Sequence, residues 1–157
     1  MEQSRNNDLS DHARLALRYL NQVHFWQSQA DGLKERLQLM EMQSLALPSP
    51  SDCSQEKVSR SLSQEAPYES SIVKKDLLEK ELAELTSRLV PLKEQATQIV
   101  KQHTTLIQQR ILLLHYIKGY PWNLVAMMVT RTDRQVYRLR KEGLEMIILP
   151  DNAIWLD

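Results

Sequence analysis

The sequence predicts an all-α protein: a long helical hairpin of coiled-coil type followed by a C-terminal helix-turn-helix. Three observations carry this. First, the 157 residues include three glycines and one phenylalanine, while Leu, Gln, Glu, Lys, Arg and Met, all good helix formers, dominate. Second, two long segments place apolar residues every three or four positions, the spacing of a helix that buries one stripe. Third, Gly119 and Pro121 then punctuate a run of shorter helical patterns. A hydrophobic content of 42% and a charged content of 25% belong to a folded soluble protein of one domain or two small ones.

The first helix is expected to start at Ser10 or Asp11, either of which can cap it, and to run to about Leu45. Its stripe is Ala16, Leu20, Val23, Trp26, Ala30, Leu33, Leu37 and Met40. Gly32 interrupts it, at a cost of about 1 kcal/mol against alanine. Residues 47–71 hold Pro48, Pro50 and Pro67 among many serines and predict a loop, in which Val58 and Leu62 could form a docked turn.

The second long segment places Leu78, Leu82, Leu85, Leu89, Leu92, Ala96, Ile99, His103 and Leu106 at alternating spacings of four and three. A repeat of about 3.5 residues sustained this far predicts a coiled coil. Pro91 lies off the seam, removes one backbone hydrogen bond and is expected to kink the helix. The two stripes suit an antiparallel hairpin within one chain. They equally suit pairing of two chains, so a homodimer through the coiled coil stays open.

A helix-turn-helix domain is expected over 106–149. "LIQQRILLLHYIKG" reads as a buried helix closed by Gly119, and Pro121 suits the first turn of "PWNLVAMMV". A short turn follows, Thr132 can cap the last helix, and that helix stops before Pro150. Val136, Leu139, Gly143 and Ile147 are expected to face inward, with Arg131, Arg134, Arg138 and Lys141 on the opposite side. Met127 and Met128 are expected in the core or at its edge. The domains are thus 10–105, 106–149 and a tail, 150–157. The apolar tip Ile154, Trp155 and Leu156 is expected to fold back, the alternative being a contact between protomers.

Charge points to a partner. The chain balances 20 basic against 20 acidic residues, yet residues 101–147 hold eight basic and three acidic ones, a net +5. Residues 51–100 carry a net −2. A basic end on a mildly acidic body suggests a polyanion at that end. The second helix of a helix-turn-helix can enter the major groove of double-stranded DNA. Arg134, Gln135 and Arg138 have the chemistry to read bases, since Arg pairs with guanine and Gln with adenine. Arg131, Thr132, Tyr137, Arg140 and Lys141 suit phosphates and sugars. Trp122, Val125, Ala126, Val136 and Leu139 form the expected core of the motif, Ala126 being small where the helices cross. An arginine-rich helix alone is as often a solvated face; the capped helix, the turn and Ala126 favour DNA.

Other classes are disfavoured. Cys53 has no partner for an intrachain disulfide, the N-terminus lacks a signal-peptide core, and no apolar run approaches the roughly 20 residues that cross a bilayer. A cytoplasmic protein without membrane contact is expected. His12, His24, His103 and His115 lack zinc-site spacing and read as packing residues rather than metal ligands. No glycine-rich phosphate loop, activated nucleophile or paired carboxylates suggest an enzyme, and no cofactor is expected.

The stretch "RILLLHYIKGYPWNLVAMMVTRTDRQVYRLRKEGLEMI" resembles the helix-turn-helix of sigma-70 region 4. It is more similar still to phage and prophage late-gene transcription regulators of the ArpU, RinA and LtrC type. The likeness rests on Tyr116-Ile117-Lys118-Gly119, Trp122, Val125-Ala126, Thr132 and Val136-Tyr137-Arg138-Leu139. Upstream, the long first helix, the Val58–Ser61 element and the heptads extend it to residues 12–147. The chain departs from the family at Thr130, where Gly or Asn is common, and at Gly143, where alanine is usual.

The resemblance implies a sigma-70 region 4-like fold for the C-terminal part. It also implies a bacteriophage or prophage protein in a Gram-positive bacterial host cell. Such a protein binds the promoter or operator of a late operon (packaging, morphogenesis or lysis genes) and activates it with host RNA polymerase. A small-terminase-like packaging protein and a coiled-coil adaptor that binds no DNA are the alternatives.

Overall fold

The computed structural model describes residues 6–45 and 62–156, with side chains over 6–43 and 70–156. Cys53, the Val58–Ser61 element and residues 47–61 of the expected loop lie outside the described residues. Within them the protein is all-helical, without strands. The five α-helices are α1 (Asp11–Leu45), α2 (Leu62–His103), α3 (Leu106–Leu112), α4 (Trp122–Met128) and α5 (Asp133–Met146). A π-helical turn, Leu113–Ile117, continues α3.

The start of α1 follows from its cap: the Ser10 hydroxyl accepts the Ala13 N–H at 3.4 Å. Its buried stripe, Ala13, Ala16, Leu17, Leu20, Val23 and Ala30, begins a turn earlier than the spacing suggested and also takes in Tyr19. Trp26, Leu33, Leu37 and Met40 are half-buried.

Helix α2 differs from expectation at both ends. It begins at Leu62, so residues 62–71, expected in the loop, are helical. Gln64, Glu65, Ala66 and Glu69 are acceptable helix formers, and the long repeat downstream carries the helix back over them. At the other end α2 stops at His103. Thr104, whose hydroxyl donates to Val100 O at 2.6 Å, begins the break. Thr105 then starts α3, its N–H donating to Gln108 Oε1 at 3.1 Å. This resets the helical phase, so Leu106, expected on the seam, is 84% exposed. Leu89, Leu92, Ala96 and Ile99 are buried on the seam, and Leu78, Leu82, Leu85 and His103 half-buried. The helix runs through Pro91, which is exposed and keeps its ring out of the packed face.

The chain forms two compact units, residues 1–28 with 87–157 and residues 29–86. The division expected between 105 and 106 therefore runs through the interior of the first unit. In that unit α1 and α2 pair antiparallel: Tyr19 donates to Gln95 Oε1 at 2.7 Å, and Lys93 Nζ donates to Gln27 Oε1 at 2.8 Å. Tyr19 is fully buried, which pushes its hydroxyl pKa up to about 12. In the second unit, Lys75 and Glu41 join the two helices by an ion pair of 3.7 Å.

Helices α3, α4 and α5 enclose a cluster of Ile111, Leu114, Val125, Ala126, Val129 and Val136, rimmed by Ile107, Tyr120, Trp122 and Leu139. Leu112, Leu144, Ile147 and Tyr116 are also buried. No described helix is long and apolar enough to cross a membrane.

Candidate nucleic-acid interface

The approach to α4 is set by the π turn. Lys118 N–H bonds Leu113 O at 3.0 Å, one residue further back than in an α-helix. Gly119 then takes φ +82°, and its N–H reaches His115 O at 3.1 Å. That is the left-handed cap for which glycine is suited. His115 Nδ1 lies 2.8 Å from Tyr120 O, so it carries the donated proton.

The His115 ring stacks on Trp122 at 3.8 Å and faces His24 at 5.2 Å. Tyr116 meets Trp122 edge-on at 5.9 Å, and Tyr137 is tilted against it at 5.7 Å. Trp122 thereby ties the π turn, α4 and α5 together, and His115 joins them to α1. The described residues contain no group of three or more His, Cys, Asp or Glu placed to hold a metal.

The turn between α4 and α5 is closed by two bonds, Arg131 N–H to Ala126 O at 3.0 Å and Thr130 N–H to Met127 O at 3.2 Å. This is a Schellman motif with threonine at the left-handed position, φ +53°. A β-branched residue there is strained by roughly 1–2 kcal/mol, while its hydroxyl bonds Val129 O at 2.7 Å. Thr130→Gly is therefore expected to raise stability by about 1 kcal/mol, read as a higher melting temperature. Of Met127 and Met128, expected in the core or at its edge, Met127 points outward and is 73% exposed, while Met128 is 38% exposed. The tight turn assigns the inward positions to Val125, Ala126 and Val129.

Helix α5 opens with a reciprocal cap: Gln135 N–H donates to Thr132 Oγ1 at 3.2 Å, and Thr132 N–H to Gln135 Oε1 at 3.1 Å. Arg131, Arg134, Arg138 and Lys141 are all exposed. Arg138 Nε sits 3.8 Å from Glu142 Oε1, and Arg134 has no partner among the described residues. Two other site residues are placed differently from the sequence reading. Gln135 has its amide oxygen in the cap. Arg140 turns into the domain: Nε donates to Tyr116 Oη at 2.9 Å, Nη2 to Asn6 Oδ1 at 3.3 Å, and the guanidinium lies 5.6 Å from the Trp122 ring centre. Val125, Ala126 and Val136 are buried, and Trp122, Tyr137 and Leu139 half-buried.

The far end of α5 is clamped to the start of α1. Glu145 accepts from the Ser10 hydroxyl at 2.5 Å and from the Ser10 N–H at 3.0 Å, and His12 Nε2 lies 2.7 Å from Glu145 O. The Ser10 hydroxyl, then its backbone N–H, hold the Glu145 carboxyl below its ordinary pKa of 4.5. A lowered carboxyl pKa contributes stability that is complete above the unfolded value and is lost as pH falls through the folded one. Melting temperature is thus expected to fall on acidification below about 4.5, and Ser10→Ala to flatten that acid limb. An unchanged limb in the variant would contradict the clamp.

The tail returns to the helix pair through side chains the sequence reading passed over. Gln22 Nε2 donates to Ile154 O at 2.7 Å, and its Oε1 accepts Leu156 N–H at 3.0 Å. Gln95 accepts Ile154 N–H at 2.8 Å and donates to Asn152 O at 3.0 Å. Trp155 meets Tyr19 edge-on at 5.6 Å. In the tail these glutamines bind backbone only, so no spacing or residue type there announces them.

No protein-family model, characterised protein or solved structure matches the chain.

Proposed function

We propose that the protein is a sequence-specific DNA-binding transcription activator whose α5 enters the major groove. The observation that supports this best is the outward row of Arg134, Arg138 and Lys141 on a capped helix, with exposed Arg131 in the Schellman turn before it. In this reading α4, the turn and α5 act as a sigma-70 region 4-like helix-turn-helix. The antiparallel coiled coil of α1 and α2 is its support and the route to a homodimer. The resemblance to late-gene regulators extends the proposal to phage or prophage late operons read with host RNA polymerase, in the bacterial cytoplasm and without catalysis.

A random-library selection with the purified protein tests it. One enriched duplex motif is expected. Arg138→Ala should bind it at least about tenfold more weakly, the loss of one bidentate base contact, with helical circular dichroism unchanged. Absence of any enriched motif would sink the proposal and favour an adaptor that binds protein through its helical faces.

A further inference from the structure

Resting on the DNA-binding reading, we infer that the protein reads guanine, through Arg134 and Arg138, and that Gln135 reads no base. The capping geometry separates the three residues. To recognise adenine, a glutamine must accept from N6 with its amide oxygen while donating to N7 with its amide nitrogen. The oxygen of Gln135 already accepts Thr132 N–H at 3.1 Å, in the bond that starts the helix. Turning it to a base would open the cap just where the helix meets DNA.

The arginines carry no such commitment. Arg134 is exposed and without a partner among the described residues. In Arg138 the Glu142 carboxylate lies on the Nε side, at 3.8 Å. That leaves both terminal nitrogens for an end-on pair of bonds to guanine O6 and N7. Glu142 is a positioning residue here. Without it the Arg138 guanidinium has one fewer restraint on the orientation that a bidentate contact needs.

Spacing narrows the target further. Four residues of α-helix advance about 6 Å, and successive bases on a strand lie about 3.4 Å apart. Arg134 and Arg138, on one face of α5, therefore reach guanines within about two base pairs of each other. Lysine preserves the charge at either position but not the planar fork, so it separates guanine reading from phosphate attraction.

The test uses the full chain and the motif enriched by the wild-type protein. The motif should contain two guanines within two base pairs. Replacing either with 7-deazaguanine, which lacks only the N7 acceptor, should weaken binding by roughly tenfold. Arg134→Lys and Arg138→Lys should each relax one guanine position while binding unrelated duplex as the wild type does. Gln135→Glu keeps the reciprocal cap and removes the amide donors. It should weaken binding uniformly through its added charge and leave base preference unchanged. Glu142→Gln should lower discrimination at the Arg138 guanine only.

A motif without the guanine pair, indifference to 7-deazaguanine, or an altered base preference in Gln135→Glu would overturn this inference while leaving DNA binding intact. No motif at all would overturn the DNA-binding reading, and this inference with it.

Discussion

Leu112→Ala is expected to lower the unfolding free energy by about 2–5 kcal/mol, the range for truncating a fully buried leucine. Leu112 has no exposed surface, and it lies where α3 meets α5. In a chain of this size each kcal/mol moves the melting temperature by roughly 2–4 °C, so a fall of about 4–20 °C should be seen.

The glycine opposite gives this prediction a second arm. A Cβ on Gly143 would lie 3.2 Å from Leu112 Cδ1 and 3.3 Å from Gln108 Cβ. A methyl there requires Leu112 and Gln108 to give way by a few tenths of an ångström. Gly143→Ala alone sets about 1 kcal/mol of helix propensity against that crowding and should gain nothing. In the Leu112→Ala background the methyl instead enters the vacated space, and Gly143→Ala should recover about 1 kcal/mol. Melts of the four proteins decide it. Simple additivity would mean that the two residues do not share this contact.

On duplex without the recognised motif, affinity is expected to fall by about 150-fold between 50 and 200 mM salt. In the proposed DNA-binding reading, the four exposed cations Arg131, Arg134, Arg138 and Lys141 meet phosphates on such a duplex. Each phosphate neutralised adds about −0.9 to the slope of log K against log salt, roughly −3.6 for four. Arg140 is left out because Tyr116, Asn6 and the Trp122 ring already hold it. Arg140→Ala should therefore lower the melting temperature and leave the slope near −3.6, whereas Lys141→Ala should make it shallower by about one. A slope that drops by one in Arg140→Ala would place that side chain on DNA after all.

Much of the fold was legible because helix boundaries are set by local chemistry. Ser10, Gly119, Pro121 and Thr132 each act on the two or three residues beside them, and all four mark boundaries where expected. The seam from Leu78 to His103 was legible for a similar reason, since periodicity survives any tertiary arrangement. Leu106 was misread because Thr104 and Thr105 restart the helix, and a phase reset leaves no mark in residue spacing.

The candidate site divides along the same line. That Arg134 and Arg138 face outward follows from helical geometry. The occupation of Gln135 follows from a capping box that could have been read from Thr132 and Gln135, three residues apart. The turning of Arg140 could not have been read. Its partners Tyr116 and Asn6 lie 24 and 134 residues away and come together only in the folded chain.

The first compact unit has a consequence for how the protein emerges from the ribosome. Ser10 waits for Glu145, 135 residues later, and Gln22 for Ile154, 132 residues later. At translation speeds of about 5–20 residues per second, the N-terminal helix therefore exists for roughly 7–27 s before these partners appear. The buried residues Leu89, Leu92, Ala96 and Ile99 of α2 emerge well before that, and α2 can pair with α1 in the meantime. Helix pairing thus comes early and closure at the two chain ends comes last. Substitutions at Ser10 or Gln22 should accordingly hasten unfolding while leaving the first step of folding at its ordinary rate.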